Sequence, residues 1–309
     1  MAIVIIRQDD KIPQWKEALL KVDPDLSIYS YLEDHPREEI TMAVVWKHPK
    51  GTLQGYPNLK LIASFGAGVD FIFEDQTRPL HVPITRVVDP KLASDMSEFV
   101  LGQILSHLKN FNRYKVDQLN KKWQPIAYRR IEDITVGIMG MGALGSVLAK
   151  DLLKLNFKVM GWANSPKQEI DISMFVGADE REEFLSKSSV LVCLLPLTEE
   201  TKGILNKALF SQLPPGAFVI NVARGGHLVD EDLLEMLGSG HLSGAYLDVF
   251  HAEPLPKDHP FWEHPDIHFT PHIASVSDVP SVSPQIIENY HRLVSDLPLH
   301  NQIAIDKGY

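Results

Sequence analysis

ITVGIMGMGALGSVLAK (Ile134–Lys150) changes periodicity half-way along its length. Its first six residues, ITVGIM (Ile134–Met139), form a short apolar run rich in β-branched side chains, the pattern of a buried strand. From Ala143 to Leu155 apolar residues recur at helical spacing instead. Between the two lies GMGALGS (Gly140–Ser146), with Gly140, Gly142 and Gly145 at G-x-G-x-x-G spacing. Glycine is common enough for this spacing to arise by chance, but its place between a strand and a helix gives it weight. The first glycine makes the tight turn, the second lets the backbone approach a pyrophosphate, and the third lets helix pack on strand. The helix N-terminus then faces the phosphates of a dinucleotide.

Outward from this unit the alternation continues. A first series opens with AIVIIR (Ala2–Arg7) and a helical stretch from Trp15 to Lys21, then strands near Leu26–Tyr29, Met42–Trp46, Leu59–Ser64 and Val82–Val88. The second series runs from Ile134 through FKVMGW (Phe157–Trp162), VLVCLL (Val190–Leu195), AFVIN (Ala217–Asn221) and GAYLDVF (Gly244–Phe250). Strands separated by helical segments imply parallel pairing through crossover helices. Lys91–Lys121 reads as one long helix carrying the chain from one domain to the other. A helical pattern over Pro284–Leu297 is too short to be a domain and is expected to return to the first. The expected fold is α/β, with two doubly wound parallel-sheet, Rossmann-like domains. A discontinuous substrate domain takes residues 1–97 and 278–309, and a dinucleotide-binding domain takes 98–277.

The 309 residues are 44% hydrophobic and 23% charged, which suits a globular chain with a sizeable core. A net charge of -10 argues against binding a phosphate backbone, which needs clustered cations, so no nucleic-acid partner is expected. The one cysteine, Cys193, lies in VLVCLL and reads as a buried core thiol. That run is the most hydrophobic in the chain and far too short to span a bilayer. MAIVIIRQDD (Met1–Asp10) has no basic region ahead of its apolar residues and reads as an opening strand, not a signal peptide. A cytoplasmic protein with no membrane partner and no metal site is expected.

A strand that holds NAD ends in an Asp or Glu that accepts hydrogen bonds from the ribose hydroxyls. Here the stretch is FKVMGWANSPK (Phe157–Lys167), and the acid position falls at Ala163, with no carboxylate before Glu169. Without that charge nothing repels a 2′-phosphate, and Asn164, Ser165 and Lys167 offer donors to one. NADP(H) is therefore favoured over NAD(H), although no arginine, the better bidentate phosphate partner, stands there.

Three stretches in the last third carry the remaining chemistry: NVARGGH (Asn221–His227), DVFHAEPLPK (Asp248–Lys257) and TPHIASV (Thr270–Val276). Arg224 follows the strand AFVIN, so it belongs at the C-terminal edge of a sheet, where doubly wound folds bind ligands. Its guanidinium can hold a carboxylate and a carbonyl oxygen together. His272 follows the strand-like IHFT (Ile267–Thr270) and can give a proton to a developing alkoxide. Glu253 can orient that imidazole and favour its protonated form. Spacing alone leaves the choice open among His251, His259, His264, His268 and His272.

ARGG around Arg224, DVFHAEPLP from Asp248, TPHIAS from Thr270, SFGAGVD (Ser64–Asp70) and GMGALG together resemble the D-2-hydroxyacid dehydrogenase family. The resemblance covers nearly the whole chain. It implies that Arg224 binds substrate, that His272 is the acid/base and that Glu253 tunes it. It further implies that Ala67 and Gly68 offer N–H groups to the substrate carboxylate. Leu195, Val222, Asp248 and the turn of His272, Ala274 and Ser275 would line the nicotinamide, with Ala143 and Leu144 at the pyrophosphate. Within the family, VWKHPKG (Val45–Gly51), MSEFVL (Met96–Leu101), Gly161-Trp162 and the final DKGY (Asp306–Tyr309) are most similar to the glyoxylate/hydroxypyruvate reductase A branch. Trp46 is then either a wall of the substrate pocket, with Phe71 and Trp262, or a core side chain. Where that branch carries basic residues after the tryptophan, this chain has Asn164 and Pro166. The implied function is NAD(P)H-dependent reduction of a small 2-oxo acid, glyoxylate or hydroxypyruvate, by a homodimer. The alternatives are an NAD(H)-sensing interaction protein of the corepressor type and a reductase for a bulkier 2-oxo acid.

Overall fold

A computed structural model describes residues 1–165 and 171–305. The chain divides into two compact units, Met1–Leu92 with the segment from Ser277 onward, and Ala93–Val276.

The first unit holds a five-stranded sheet of β1 (Ala2–Arg7), β2 (Ile28–Ser30), β3 (Ile40–Trp46), β4 (Leu61–Ser64) and β5 (Ile84–Thr85), in the order β2-β1-β3-β4-β5. All pairs are parallel. Every residue of β1 is buried, as befits a strand covered on both faces. Helix α1 (Ile12–Val22) starts with a proline in its first turn and buries Ile12, Trp15 and Leu19. The C-terminal helix Val279–Val294 packs on the same core, with Val282, Ile286, Ile287 and Tyr290 among Ile3, Ile5, Trp15 and Leu19. It begins five residues before the expected Pro284, because Asp278 caps it by accepting from the Ser281 N–H at 3.1 Å.

The expected strand Val82–Val88 shortens to two residues. Pro83 has no N–H to give, and the Val87 N–H turns to Gly66. The outer edge of β5 is covered instead by residues 301–303, through a Thr85–Gln302 bridge and hydrogen bonds from Arg86 to Asn301 and from Ile303 to Ile84. A four-residue helix, α2 (Asp70–Phe73), follows the turn after β4.

The second unit holds β6 (Thr135–Met139), β7 (Lys158–Ala163), β8 (Ser173–Val176), β9 (Val190–Cys193), β10 (Ala217–Asn221), β11 (Leu242–Leu247) and β12 (Ile267–Phe269). Their order is β12-β11-β10-β9-β6-β7-β8, again all parallel. This is the doubly wound dinucleotide-binding order with one strand added beyond the sixth. The edge strand β8 and helix α6 (Arg181–Ser186) are absent from the sequence reading, which placed nothing between Trp162 and Val190. The expected long helix is in fact two, α3 (Pro90–Leu108) and α4 (Phe111–Leu119). Asn110 breaks it by taking a left-handed backbone, φ 59°. Helices α5 (Ala143–Lys154), α7 (Lys207–Phe210) and α8 (Asp230–Gly238) complete the unit. Cys193 is fully buried, and burial pushes its thiol up to about 12, so it is an inert core group. No described helix is long and apolar enough to cross a membrane, and no cluster of metal-ligating side chains occurs among the described residues.

Candidate active site

The sheet of the second unit puts the motif residues on one edge. Ala163 ends β7, Gly140 follows β6, Leu195 follows β9, Val222 and Arg224 follow β10, Asp248 follows β11 and His272 follows β12. Those six strands are consecutive neighbours and parallel, so all these positions lie at C-terminal strand ends across roughly 24 Å.

At the middle of that edge the strand order reverses between β9 and β6, the place where doubly wound sheets take their ligands. Gly140 has φ 104°, and a Cβ there would stand 2.7 Å from the Leu194 carbonyl. A Cβ on Gly145 would stand 2.1 Å from the Gly140 oxygen, so these two glycines close the turn onto strand and helix. Gly142 differs: nothing lies within 4 Å of its missing Cβ, and no side chain caps the helix it precedes. Gly142 and Ala143 are exposed, Leu144 half-buried. An open glycine beside an uncapped N-terminus of a twelve-residue helix fits a pyrophosphate. At the end of β7, Ala163 is buried and Asn164 and Ser165 are exposed, with no carboxylate among the three. Lys167, expected at the 2′-phosphate, lies outside the described residues, as does the DKGY tail.

Asp248 organises the outer part of the edge. It is 1% exposed, and its carboxylate accepts from Thr270 Oγ1 at 2.5 Å, the Ile273 N–H at 2.9 Å and the Ala274 N–H at 2.9 Å. Those bonds wrap the turn after β12 around one oxygen pair. Inside that turn His272 takes φ 53°, a conformation rare outside glycine and asparagine. Leu195, Val222 and Ala274 are buried and Ser275 is half-buried.

Of the five candidate histidines, His272 is the one that meets Glu253. His272 Nδ1 lies 3.0 Å from Glu253 Oε1 and 2.9 Å from Oε2, with 28% and 22% of the two side chains exposed. A carboxylate only accepts, so Nδ1 carries a proton, and Nε2 is the nitrogen left for proton transfer. Glu253 is itself held by the Phe250 N–H at 3.2 Å. The other candidates are engaged elsewhere. His251 donates to the Leu228 carbonyl at 2.8 Å, His259 meets Asp230 at 3.3 Å, and His264 Nδ1 accepts from the Asp266 N–H. Burial pushes His268 below its ordinary pKa. Trp262, a candidate pocket wall, is half exposed and packs edge-on against Phe269.

Arg224 is half-buried and extended, φ -145°, at the head of the GGH turn. Its Nη1 donates to the Ala223 carbonyl at 2.6 Å. The two glycines after it explain its placement. A Cβ on Gly225 would come within 2.0 Å of the Phe250 backbone, so only glycine lets the arginine turn lie on the loop that leads to Glu253. Gly226 faces the Leu197 side chain, 3.0 Å from where its Cβ would be. Sequence reasoning missed both, although a glycine pair directly after a candidate arginine was a visible signal.

Trp46, Ala67 and Gly68 belong to the first unit. Val45 and Ser64 are register partners, so Trp46 and the SFGAG turn emerge from adjacent strand ends. Ser64 Oγ donates to the Gly68 carbonyl at 2.9 Å and accepts from the Gly66 N–H at 3.1 Å, which folds the turn back on itself. The N–H groups of Ala67 and Gly68 meet no acceptor among the described residues. Trp46 is half-buried and lies across Gly66, where a Cβ would be 2.7 Å from the indole. Phe71 meets that indole edge-on at 5.4 Å.

Residues 101–274, more than half of the chain, match the family described as D-isomer specific 2-hydroxyacid dehydrogenase, NAD binding domain. The chain belongs to the D-isomer specific 2-hydroxyacid dehydrogenases. This dehydrogenase is 39% identical over 283 residues to glyoxylate/hydroxypyruvate reductase A of Serratia proteamaculans (strain 568), across 89% of this chain and 90% of that one. A D-isomer specific 2-hydroxyacid dehydrogenase from Xanthobacter autotrophicus Py2, solved with NADPH and MES, shares its fold with a TM-score of 0.95. Identity there is 37%, over 100% of this chain and 99% of that one. The NADPH-dependent glyoxylate/hydroxypyruvate reductase from Sinorhizobium meliloti, solved with NADP and sulfate, gives a TM-score of 0.92 at 36% identity, covering 100% of both chains. The family and the branch to which the motifs pointed are those found.

Proposed function

We propose that this dehydrogenase reduces a small 2-oxo acid, glyoxylate or hydroxypyruvate, to the 2-hydroxy acid with NADPH. The observation that carries this reading is the His272–Glu253 pair, 2.9 Å apart, on the same strand edge as the glycine cradle. When bound, the coenzyme supplies the hydride. Gly142, Ala143 and Leu144 would hold its pyrophosphate, and Leu195, Val222, Ala274 and Ser275 would border its nicotinamide, with Asp248 shaping the turn that carries Ala274 and Ser275. Arg224 binds the substrate carboxylate and polarises the carbonyl, and the Ala67 and Gly68 amides donate to the carboxylate. Trp46 bounds the substrate's side chain. His272 gives a proton from Nε2 to the oxygen that gains charge, while Glu253 holds Nδ1–H and keeps the ring aimed.

Ala163, Asn164 and Ser165 leave the ribose end without a carboxylate, which supports NADPH over NADH, and the Xanthobacter and Sinorhizobium relatives were solved with NADPH and NADP. Coenzyme absorbance measured with glyoxylate, hydroxypyruvate and bulkier 2-oxo acids tests this reading. Oxidation of NADPH by the two small acids, faster than that of NADH, is expected; no oxidation with any 2-oxo acid overturns it.

A homodimer is part of the proposal. Around α4 and the strand-free stretch after it, Phe111, Val116, Leu119, Trp123 and Tyr128 expose large apolar surfaces, Trp123 to 99%. Such a cluster is expected to be covered by a second copy. A monomer mass by light scattering at micromolar concentration overturns that part. A cytoplasmic protein with no nucleic-acid partner is proposed from the net charge of -10 and the single buried thiol.

A further inference from the structure

We propose that His227 is a positioning residue for this reduction, acting through Arg224. The inference rests on the reading of Arg224 as the group that binds the 2-oxo acid. His227 is fully buried, three residues after the arginine and on the same short turn. Its Nδ1 lies 3.1 Å from the Arg224 carbonyl oxygen and its Nε2 lies 3.2 Å from the Pro196 carbonyl oxygen. Both oxygens can only accept, so a neutral ring donates to one of them; in the proposed tautomer Nδ1–H donates to the Arg224 carbonyl while Nε2 rests against the Pro196 carbonyl.

Neither carbonyl depends on the imidazole alone. Arg224 O also accepts from Asn221 Nδ2 at 2.9 Å, and Pro196 O also accepts from Thr201 Oγ1 at 2.7 Å. Backbone bonds run in parallel, from the Gly203 N–H to Gly226 O at 2.9 Å and from the Leu205 N–H to His227 O at 2.8 Å. The ring thus ties the turn that carries Arg224 to the loop that follows β9. Gly225 seats the other side of the same turn on the Phe250 backbone.

The consequence lies in the length of an arginine. A tilt of roughly 10° at its Cα moves the guanidinium by about 1 Å, a misplacement large enough to weaken substrate orientation severely. Asn221 and His227 grip the Arg224 carbonyl from opposite sides in sequence, so together they set that angle. Thr201 performs the corresponding task for Pro196 and leaves Arg224 untouched.

Two polar substitutions separate this role from simple core filling. His227→Asn puts an amide nitrogen where Nδ1 stands and keeps the bond to Arg224. His227→Gln reaches to where Nε2 stands and keeps only the contact with Pro196. With saturating NADPH, His227→Gln is expected to raise KM for glyoxylate and Ki for oxamate about tenfold, while His227→Asn stays within about threefold of the wild type. The NADPH Kd, from nicotinamide fluorescence, is expected to stay within about twofold in both. Equal effects of the two variants, or a larger effect of Asn than of Gln, overturn the proposal. If His227→Gln does not fold, Asn221→Ala carries the test from the other side of the same carbonyl. An unchanged KM there overturns the proposal, and a raised KM with unchanged NADPH Kd supports it. A wild type that oxidises NADPH with no 2-oxo acid is a separate result, which removes the functional reading itself.

Discussion

The two ends of the seven-stranded sheet treat the same side chain in opposite ways. At the C-terminal end His272 is partly exposed and points Nδ1 at the Glu253 carboxylate. At the N-terminal end His107 lies flat on Phe218 of β10, ring centres 3.8 Å apart and 11° from parallel, with Ser243 of β11 3.3 Å from Nε2. Burial, with Arg129 and His268 nearby, pushes His107 down to about 4. One imidazole is partly exposed and has a carboxylate to orient it. The other has an aromatic plane, the Arg129 cation nearby and no carboxylate in hydrogen-bond contact. The motif residues gather where loops leave the strands, whereas His107 packs at the opposite end.

That contrast predicts where activity and stability should part. The largest effect belongs to His272→Gln, expected to lower kcat by about 10²- to 10⁴-fold with NADPH affinity intact, measured by steady-state rates and fluorescence titration. Retained turnover would remove His272 from the chemistry and erase the distinction between the ends. Gly225→Ala comes next. Its Cβ would overlap the Phe250 backbone, so a loss of roughly 3 kcal/mol or more in denaturant unfolding is expected, together with reduced turnover.

The N-terminal end should register in stability alone. The folded-state pKa of His107 lies below its unfolded value, so the unfolded chain takes up the proton first as pH falls. The contribution is complete above pH 6.5 and is lost as pH drops towards about 4, by about 3 kcal/mol in all. His107→Phe should flatten that part of the acid limb and leave kcat unchanged; a changed kcat would break the contrast. Smallest is Gly142→Ala on the open side of the cradle. Its melting temperature should stay within about 2 °C of the wild type, because nothing in the protein lies within 4 Å of the added methyl, while NADPH Kd is expected to rise about tenfold if the pyrophosphate sits there as proposed.

Much of the C-terminal edge was legible because parallel strands announce themselves as apolar runs, and whatever follows them is forced to one side. Arg224 needed only that rule, whereas Asp248 rested on the family resemblance. The choice of His272 over His251 or His259 did not follow from spacing, since it depends on which ring a folded loop brings to Glu253. The kink at Asn110 escaped notice because a single left-handed residue leaves the apolar periodicity on either side intact. Strand β8 was hidden by its place at a sheet edge, where alternation is weak and only Phe175 of its four residues is buried. The grip of His227 on Arg224 and Pro196 was out of reach, as nothing in NVARGGH says that a carbonyl thirty-one residues earlier will lie beside it.

The left-handed backbone at His272 has a consequence for anyone who randomises this position. A saturation library there will be sorted by conformation before it is sorted by acid strength. Glycine and asparagine will be over-represented among soluble clones, and valine, isoleucine and threonine will be lost, each at a penalty of about 1–2 kcal/mol from the backbone alone. Survivors of an expression screen will therefore describe the shape of the turn, and only a turnover screen will describe the imidazole.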